Sequence, residues 1–175
     1  VNPDNPESGI LRGKVMERVP ELSLQAYTGG NTAEKRRFIE DLFVGFKRYG
    51  FVVLKDHTIE VSLLHRAYLA SKKFFEQSET VKQSYADKNG AGQRGYTAFG
   101  TEHAKDAKVP DLKEFWHVGR ELLESHRLKK YFPNNVWPTE IPEFKPIFQG
   151  LFDGLDHTGQ IMLEALTGPL EVEKD

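Results

Sequence analysis

Residues 48–57 read Arg-Tyr-Gly-Phe-Val-Val-Leu-Lys-Asp-His and decide the fold, because they join the end of a helix to a strand. The apolar residues that precede them recur at helical spacing, and they are Phe38, Leu42, Phe46 and Tyr49. Gly50 is a natural end for that helix, since glycine readily adopts the left-handed backbone found after a last turn. Residues 51–54 are apolar throughout and predict a short buried strand.

On the N-terminal side, the sequence predicts an arm and then a capped helix. Residues 1–30 carry several Pro and Gly residues and no clear periodicity, which predicts an extended arm with a short strand near residues 22–24. Asn31 or Thr32 can cap the helix that follows, and Glu34 suits its first turn.

On the C-terminal side, a second helix is predicted over residues 59–77. Its buried face is expected to consist of Val61, Leu64, Tyr68 and Phe75. A turn and a short helix are expected within residues 78–85, and a glycine-rich loop over residues 89–100.

The last third of the chain predicts one strand, one loop and one long helix. Alternation over residues 112–118 predicts a strand, and aromatic residues on both of its faces indicate that both are covered. Residues 131–142 are rich in Pro and Asn and predict a loop. A helix is expected over residues 142–166 and ends before Gly168. Its apolar positions include Phe144, Ile147, Phe148, Leu151, Phe152, Leu155, Met162 and Leu166.

The composition excludes several classes of protein. With 38% apolar and 29% charged residues, the chain is typical of a globular domain and not of a disordered one. A net charge of −2 gives no general attraction for nucleic acid or anionic membranes. Because there is no Cys, disulfides and thiolate metal sites are excluded. No stretch approaches the roughly 20 apolar residues of a membrane span, and no signal peptide is recognisable, so a cytoplasmic location is expected.

Four segments, in order, resemble the motifs of one family. Residues 49–57 resemble a Tyr-Gly-Phe-Phe segment that ends in Asn-His-Gly, and residues 74–85 resemble a Phe-Phe segment followed by Glu-X-Lys-X-X-Tyr. Residues 94–100 resemble an Arg-Gly-Tyr turn, and residues 111–116 resemble an Asp-X-Lys-Glu-X-Phe strand. The ordered set is similar to the N-terminal region of the isopenicillin N synthase-like Fe(II)- and 2-oxoglutarate-dependent oxygenases.

The resemblance implies an α+β fold, a helical N-terminal region with a few short strands. In that family a double-stranded β-helix (jelly-roll) core completes the region, and we expect this core to be largely absent from the chain. The expected organisation is an extended arm over residues 1–30, a helix and strand region over 31–142, a long helix supporting the missing jelly-roll over 143–168, and the start of the truncated core over 169–175.

The chain also departs from the family's motifs. Asp56 stands where the family has Asn, Thr58 where it has Gly, and Ser78 where it has Pro. More importantly, none of the six His residues has an acid two positions downstream, and no Arg-X-Ser occurs. The resemblance implies that the His-X-Asp…His iron ligands and the Arg-X-Ser that anchors 2-oxoglutarate lie beyond the equivalent of Asp175.

Iron chemistry of this kind needs three ligands on a rigid sheet, with open positions for the co-substrate and O₂. His117 lies on a predicted strand and is the strongest candidate, although a half-buried strand residue explains it better. The Asp156-His157 pair reverses the motif and lies in a predicted helix, where adjacent side chains diverge. We therefore predict no catalytic, metal-binding or cofactor-binding residue in this chain and no oxygenase activity of the chain alone.

Arg94 and Tyr96 are the candidate substrate-facing residues, because in the resembled family this turn leads toward the mouth of the active site. Arg94 would pair with a substrate carboxylate, and Tyr96 would stack or donate a hydrogen bond. The alternative is a surface Arg and a Tyr packed in the core. The spacing of Gly90, Gly92 and Gly95 matches a dinucleotide motif, but neither the preceding strand nor the following helix is present.

The resemblance implies that the complete enzyme is an oxidoreductase that uses Fe(II), O₂ and usually 2-oxoglutarate on a small organic substrate. This chain would be its scaffold and substrate lid. The alternative is a non-catalytic binding or interaction module that retains the helical front of the family without its iron site. A small-molecule substrate is the expected partner, with no nucleic acid and no membrane, and the sequence leaves the oligomeric state open.

Overall fold

The computed structural model describes residues 18–86, 93–102 and 109–172. The chain divides into two compact units, a first unit of residues 1–58 with 157–175 and a second unit of residues 59–156. The elements in chain order are β1 (Glu21–Ser23), α1 (Leu24–Thr28), α2 (Thr32–Tyr49), β2 (Val53–Lys55), α3 (Val61–Phe75), α4 (Glu79–Ser84), β3 (Gly95–Thr97), β4 (Phe115–His117), a 3-10 turn (Lys129–Tyr131) and α5 (Phe144–Leu166). Helices with a few short strands confirm the coarse prediction of the fold.

Local sequence signals set both ends of α2, as predicted. Asn31 Oδ1 accepts two backbone N–H groups of the first turn at 2.9 and 3.1 Å, and Glu34 Oε2 accepts the Asn31 N–H at 2.7 Å. This reciprocal capping satisfies N–H groups that have no partner inside the helix. Gly50 ends α2 with a φ of +78°, and its N–H donates to the carbonyl oxygen of Phe46 at 3.0 Å.

The predicted strand near residues 22–24 is confirmed as β1, but the predicted extended arm is interrupted by a helix. Ser23 lies at the end of β1, and its hydroxyl accepts a backbone N–H of α1 at 3.4 Å. Leu24 is buried as the first residue of α1. A serine with an apolar residue after it is a helix-start signal that the Pro- and Gly-rich composition of the arm obscures. Residues 1–17 of the predicted arm lie outside the described residues.

Strand β2 pairs in parallel with β1, with Leu54 opposite Leu22. The prediction that residues 51–54 are buried was wrong for two of the four. Val53 is 45% exposed and Phe51 is 57% exposed, while Leu54 packs against the core of the first unit. Alternate residues of a strand face opposite sides, so Val52 and Leu54 pack against the core while Phe51 and Val53 do not.

The core of the first unit packs β1, α1, α2 and the end of α5. Its buried members are Leu22, Leu24, Phe38, Leu42 and Ala165. Gly45, in α2, permits the close approach of neighbouring segments. A Cβ on Gly45 would lie 2.6 Å from Val52 Cγ1 and 2.7 Å from Pro20 Cγ, well inside van der Waals contact.

Replacing Gly45 with alanine is therefore expected to destabilise the chain, although alanine is the better helix former. We expect a loss of about 1–3 kcal/mol, the usual cost of forcing an extra group into a packed core. The matched control is Gly159→Ala in α5, where a Cβ meets nothing within 4 Å. That control should gain up to about 1 kcal/mol. Urea unfolding followed by far-ultraviolet circular dichroism measures both, and equal behaviour of the two variants would contradict the packing argument.

The second unit is built on α3, but the buried face of this helix is not the predicted one. Ala67, Ala70 and Phe74 are buried, whereas Val61 and Tyr68 are 78% and 77% exposed. Both sets of residues have helical spacing, so periodicity alone does not distinguish them. The small alanines let other segments approach the helix closely, and this places Phe74 at the centre of the core.

Phe74 is fully buried and contacts five other aromatic rings. Their centroids lie 4.6–6.1 Å from its own, and they belong to Phe75, Tyr85, Tyr96, Trp116 and Phe144. Four of these contacts are edge-to-face, namely those with Phe75, Tyr85, Tyr96 and Trp116. Such geometry adds to the free energy gained from burial alone.

Strands β3 and β4 form an antiparallel pair in which Tyr96 lies opposite Trp116. The prediction of a loop over residues 89–100 is corrected here, because Gly95–Thr97 is a buried strand. The predicted strand over 112–118 shrinks to Phe115–His117, and Leu112 is 89% exposed. His117 is exposed as well, so the prediction that both faces are covered was wrong. The carbonyl oxygen of Tyr85 supports β3 by accepting the Tyr96 N–H at 3.2 Å.

The predicted short helix is confirmed as α4 and the predicted long helix as α5. Phe144 and Ile147 of α5 are buried in the second unit, while Leu155 is half exposed. Among the described residues, no helix combines the length and the apolar character that a membrane crossing requires.

Candidate functional site

The β3–β4 pair carries the candidate site, because both candidate residues lie on it or next to it. The register places Tyr96 and Trp116 side by side on the face that packs against Phe74. Arg94 lies immediately before β3, and Gly119 follows β4 by two residues. The geometry of the site therefore depends on how this pair is anchored to the rest of the second unit.

One largely buried carboxylate, with its side chain 16% exposed, anchors the pair. Glu114 Oε2 accepts a hydrogen bond from the Tyr96 hydroxyl at 2.6 Å and another from Lys82 Nζ at 2.7 Å. Lys82 reaches it from α4 and also pairs with the exposed Glu79, at 3.2 Å. The hydrogen bond to Glu114 raises the pKa of Lys82, so the ammonium remains charged in the interior. A buried charge needs such partners to offset the cost of removing it from water.

The environment of Tyr96 is expected to delay its ionisation. Burial, and then its hydrogen bond to the Glu114 carboxylate, raise its pKa to about 12. Tyr96 should therefore give a late component, above the ordinary range for a phenol, when phenolate absorbance is followed with rising pH. Since the folded pKa exceeds the ordinary value near 10, the stabilising contribution is complete below about pH 10 and is lost as pH rises toward 12.

Tyr96→Phe is the control for this titration and should remove the late component. A late component that survives in Tyr96→Phe, or a wild-type curve without one, would contradict the assignment.

Tyr96 is 1% exposed, so its side chain belongs to the core. This matches the alternative stated above, a tyrosine packed in the core. In this position Tyr96 anchors β3 and does not face a substrate. Its hydroxyl is already donated to Glu114, and its ring contacts Phe74.

Arg94, the other candidate residue, is less deeply buried than Tyr96. Its side chain is partly buried, its Nη1 donates to the carbonyl oxygen of Gln93 at 2.6 Å, and its Nε is buried with no hydrogen-bond partner among the described residues. Its guanidinium lies against Gly119. Arginine stays charged at any ordinary pH and donates in a planar fork, so this residue can still bind an oxyanion.

Residues after β4 complete the surroundings of Arg94. Asn135 Oδ1 accepts the Gly119 N–H at 2.8 Å, and Asn135 Nδ2 donates to the Gly119 carbonyl oxygen at 2.8 Å. Glu121 Oε1 accepts from Asn135 Nδ2 and from Trp137 Nε1, each at 3.3 Å. Sequence reasoning missed Gly119, Asn135 and Glu121, since they form no motif and meet only in the folded chain.

The described residues do not fit the implied iron site. Nowhere among residues 18–86, 93–102 and 109–172 do three His, Asp or Glu side chains come close enough to hold a metal ion. His57 lies after β2 with a buried Nδ1, and His117 lies exposed on β4. Asp156 pairs with Arg120. His103 and the glycines Gly90 and Gly92 of the dinucleotide-like spacing lie outside the described residues.

Comparison with known proteins assigns this arrangement to a family. The family described as "non-haem dioxygenase in morphine synthesis N-terminal" matches residues 19–140. The chain belongs to this family. Its named relatives include 2-oxoglutarate-dependent dioxygenases, and the family depends on Fe(II) and 2-oxoglutarate.

Two curated relatives illustrate the similarity. The 2-oxoglutarate-dependent dioxygenase caaD of Aspergillus niger is 25% identical over 151 residues, which cover 85% of this chain and 47% of that protein. Validamycin A dioxygenase of Streptomyces hygroscopicus is 24% identical over 164 residues, which cover 89% of this chain and 44% of that protein. The chain thus spans about half the length of the curated relatives it matches.

Two solved structures are also similar to this chain. A Caulobacter crescentus protein assigned to the 2OG-Fe(II) oxygenase family is 39% identical and superposes with a TM-score of 0.76, covering 90% of this chain and 50% of that one. A full-length Neurospora crassa protein, crystallised in complex with alpha-KG, gives a TM-score of 0.73 at 24% identity, covering 91% of this chain and 50% of that one. The second similarity shows the fold alone.

Proposed function

We propose that this chain is the N-terminal scaffold and substrate lid of a non-haem Fe(II)/2-oxoglutarate oxygenase that acts on a small organic substrate. The match of residues 19–140 to the N-terminal part of that family carries the proposal. The crystal structure of the same Neurospora crassa protein with alpha-KG and thymine supports a small-molecule substrate.

In this proposal the chain supplies part of the wall of the active site, and the iron ligands come from elsewhere in the complete enzyme. The sequence offers neither His-X-Asp nor Arg-X-Ser, and the described residues bring no three potential ligands together. Helix α5 would support the jelly-roll core. Its side chains Leu155 and Leu163 are 54% and 68% exposed, which suits a helix that packs against a further layer.

Arg94 would face the substrate in the complete enzyme. Its guanidinium has no carboxylate partner among the described residues, and its Nε donor is buried without a hydrogen bond. A buried donor without a partner is costly, and a carboxylate would satisfy it with a charge-assisted hydrogen bond.

The direct test uses the 175-residue chain itself. Anaerobic calorimetric titration with Fe(II) should show no stoichiometric binding, and the chain should form no succinate from 2-oxoglutarate in air. Turnover at the rates of an enzyme would overturn the proposal. The reading frame of the gene gives an independent check, because the proposal expects it to continue past Asp175 into a His-X-Asp segment.

The second candidate is a non-catalytic binding module, and one observation favours it. Each unit has a core of its own, centred on Leu42 in the first and on Phe74 in the second. A natural module of 175 residues should be monodisperse in light scattering and should bind little of a dye specific for apolar surfaces. The scaffold proposal expects the opposite, since exposed apolar patches and open strand edges promote association.

A further inference from the structure

Helix α3 and the beginning of α5 line an open cavity of about 370 Å³ within the second unit. This volume is in the range of sites that hold small ligands. The lining residues lie three, four or seven positions apart in each segment, so each set occupies one face. They are Leu63, Arg66, Leu69, Ala70 and Lys73 on one side, and Glu143, Pro146 and Ile147 on the other. None of them belongs to the β3–β4 pair, so the proposed function gives this cavity no role.

The lining of this cavity is mostly apolar. Ala70 and Ile147 are 4% and 7% exposed and belong to the core of the second unit. The short side chain of Ala70 leaves room between the two helices. Leu69, which also lines the cavity, is 54% exposed. A ligand with an apolar body would remove this surface from water, and the hydrophobic effect would favour its binding.

The charged groups of the lining leave one cation in excess. Lys73 Nζ donates to Glu143 Oε1 at 2.9 Å, and this hydrogen bond lowers the pKa of Glu143, so the carboxylate stays ionised. The pair neutralises itself and joins the two segments beside the cavity. The guanidinium of Arg66, by contrast, has neither an ion-pair nor a hydrogen-bond partner in the described part of the chain. The cavity therefore combines an apolar lining with a single uncompensated positive charge.

We propose that this cavity binds a small amphipathic anion, with its apolar body between α3 and α5 and its anionic group on the Arg66 guanidinium. The apolar lining selects for the body, and the excess positive charge selects an anion over a neutral or cationic compound. Arginine suits this role because its planar fork donates to two oxygens of one anionic group. The inference goes beyond the proposed function and does not depend on it.

The probe is sodium octanoate, titrated below its micelle concentration and at constant ionic strength into the 175-residue chain. NMR follows the δ1-methyl signal of Ile147, which Ile147→Val identifies by removing it. The signal should shift along a single saturable curve. Binding should strengthen by up to about fourfold for each methylene added between hexanoate and octanoate, the gain for complete burial. 1-Octanol and octyltrimethylammonium, which carry the same alkyl chain, should bind more weakly than octanoate.

Two kinds of variant test the charge and the cavity separately. Arg66→Gln should weaken octanoate binding about threefold to fivefold, the effect of one exposed ion pair, and should leave 1-octanol binding unchanged. Its matched control is Lys72→Gln, which removes an equal charge from the same helix outside the lining and should change neither affinity. Ala70→Met should occupy the cavity and weaken the binding of both compounds. If Ala70→Met fails to fold, Leu69→Asp at the half-exposed position carries the same test.

The possible failures are distinguishable. An Ile147 signal that octanoate does not shift, or cavity variants that bind octanoate as tightly as the wild type, would overturn the cavity as a binding site. Equal affinity for octanoate and 1-octanol, or equal losses in Arg66→Gln and Lys72→Gln, would overturn the selection of an anion by Arg66. Succinate formation by the isolated chain would instead overturn the proposed function and would leave the octanoate result standing.

Discussion

Replacing Glu114 with alanine is expected to lower the free energy of unfolding by about 3 kcal/mol, among the largest effects of any single substitution in the chain. The cause is Lys82, whose ammonium would remain in the interior after losing its 2.7 Å partner. The Tyr96 hydroxyl would lose its acceptor at the same time. We place the effect at the lower end of the range for broken buried pairs, because Glu79 still contacts Lys82 at 3.2 Å.

Urea unfolding monitored by circular dichroism measures this effect. Glu102→Ala is the matched control, since it removes a carboxylate from an exposed ion pair with Lys113 and should change little. The double variant Lys82→Met/Glu114→Gln should recover much of the loss, because it removes the uncompensated charge and keeps an acceptor for Tyr96. A small effect of Glu114→Ala would show that Lys82 reaches water easily.

Replacing Phe74 with alanine is expected to cost about 3–5 kcal/mol, the usual penalty for removing a fully buried aromatic ring. The ring stands among five aromatic neighbours that belong to α3, α4, β3, β4 and α5, or lie next to them. These rigid rings cannot all move to fill the space, so a cavity remains. The substitution should also disturb the candidate site, because Tyr96 and Trp116 pack directly on Phe74.

The control for Phe74→Ala lies on a different face of the same helix. Tyr68 is 77% exposed, and Tyr68→Ala should change the free energy of unfolding by no more than about 0.5 kcal/mol. Together the two variants test which face of α3 is buried. If Tyr68→Ala proved the more damaging, the face predicted from the sequence would be the correct one.

The sequence predicts elements well where the decisive interactions are local. The capping box at Asn31 and the left-handed Gly50 involve residues within four positions of each other, so α2 could be placed from its own residues. Asp56 is a similar case. It stands where the resembled family has Asn, and its φ of +53° is a conformation that Asn and Asp tolerate better than other side chains.

Prediction from sequence fails where two faces of a helix carry residues at the same spacing, and where the residues in contact are distant in sequence. The stripe containing Val61 and Tyr68 and the stripe containing Ala67 and Phe74 are both helical in spacing. Only the rest of the second unit decides between them. Likewise, Arg94 could be singled out because it belongs to a short Arg-Gly-Tyr motif. Asn135 contacts Gly119, which is 16 residues away in sequence, and no local pattern predicts that contact.

The location of the two tryptophans determines what an optical experiment on this protein can report. Trp116 and Trp137 both lie near Phe144, at centroid distances of 5.2 and 6.4 Å, and thus within the second unit. The first unit contains no tryptophan. Tryptophan fluorescence therefore reports the unfolding of the second unit and does not report that of the first. Because the chain contains no cysteine, a single thiol introduced into the first unit can carry a second, site-specific dye.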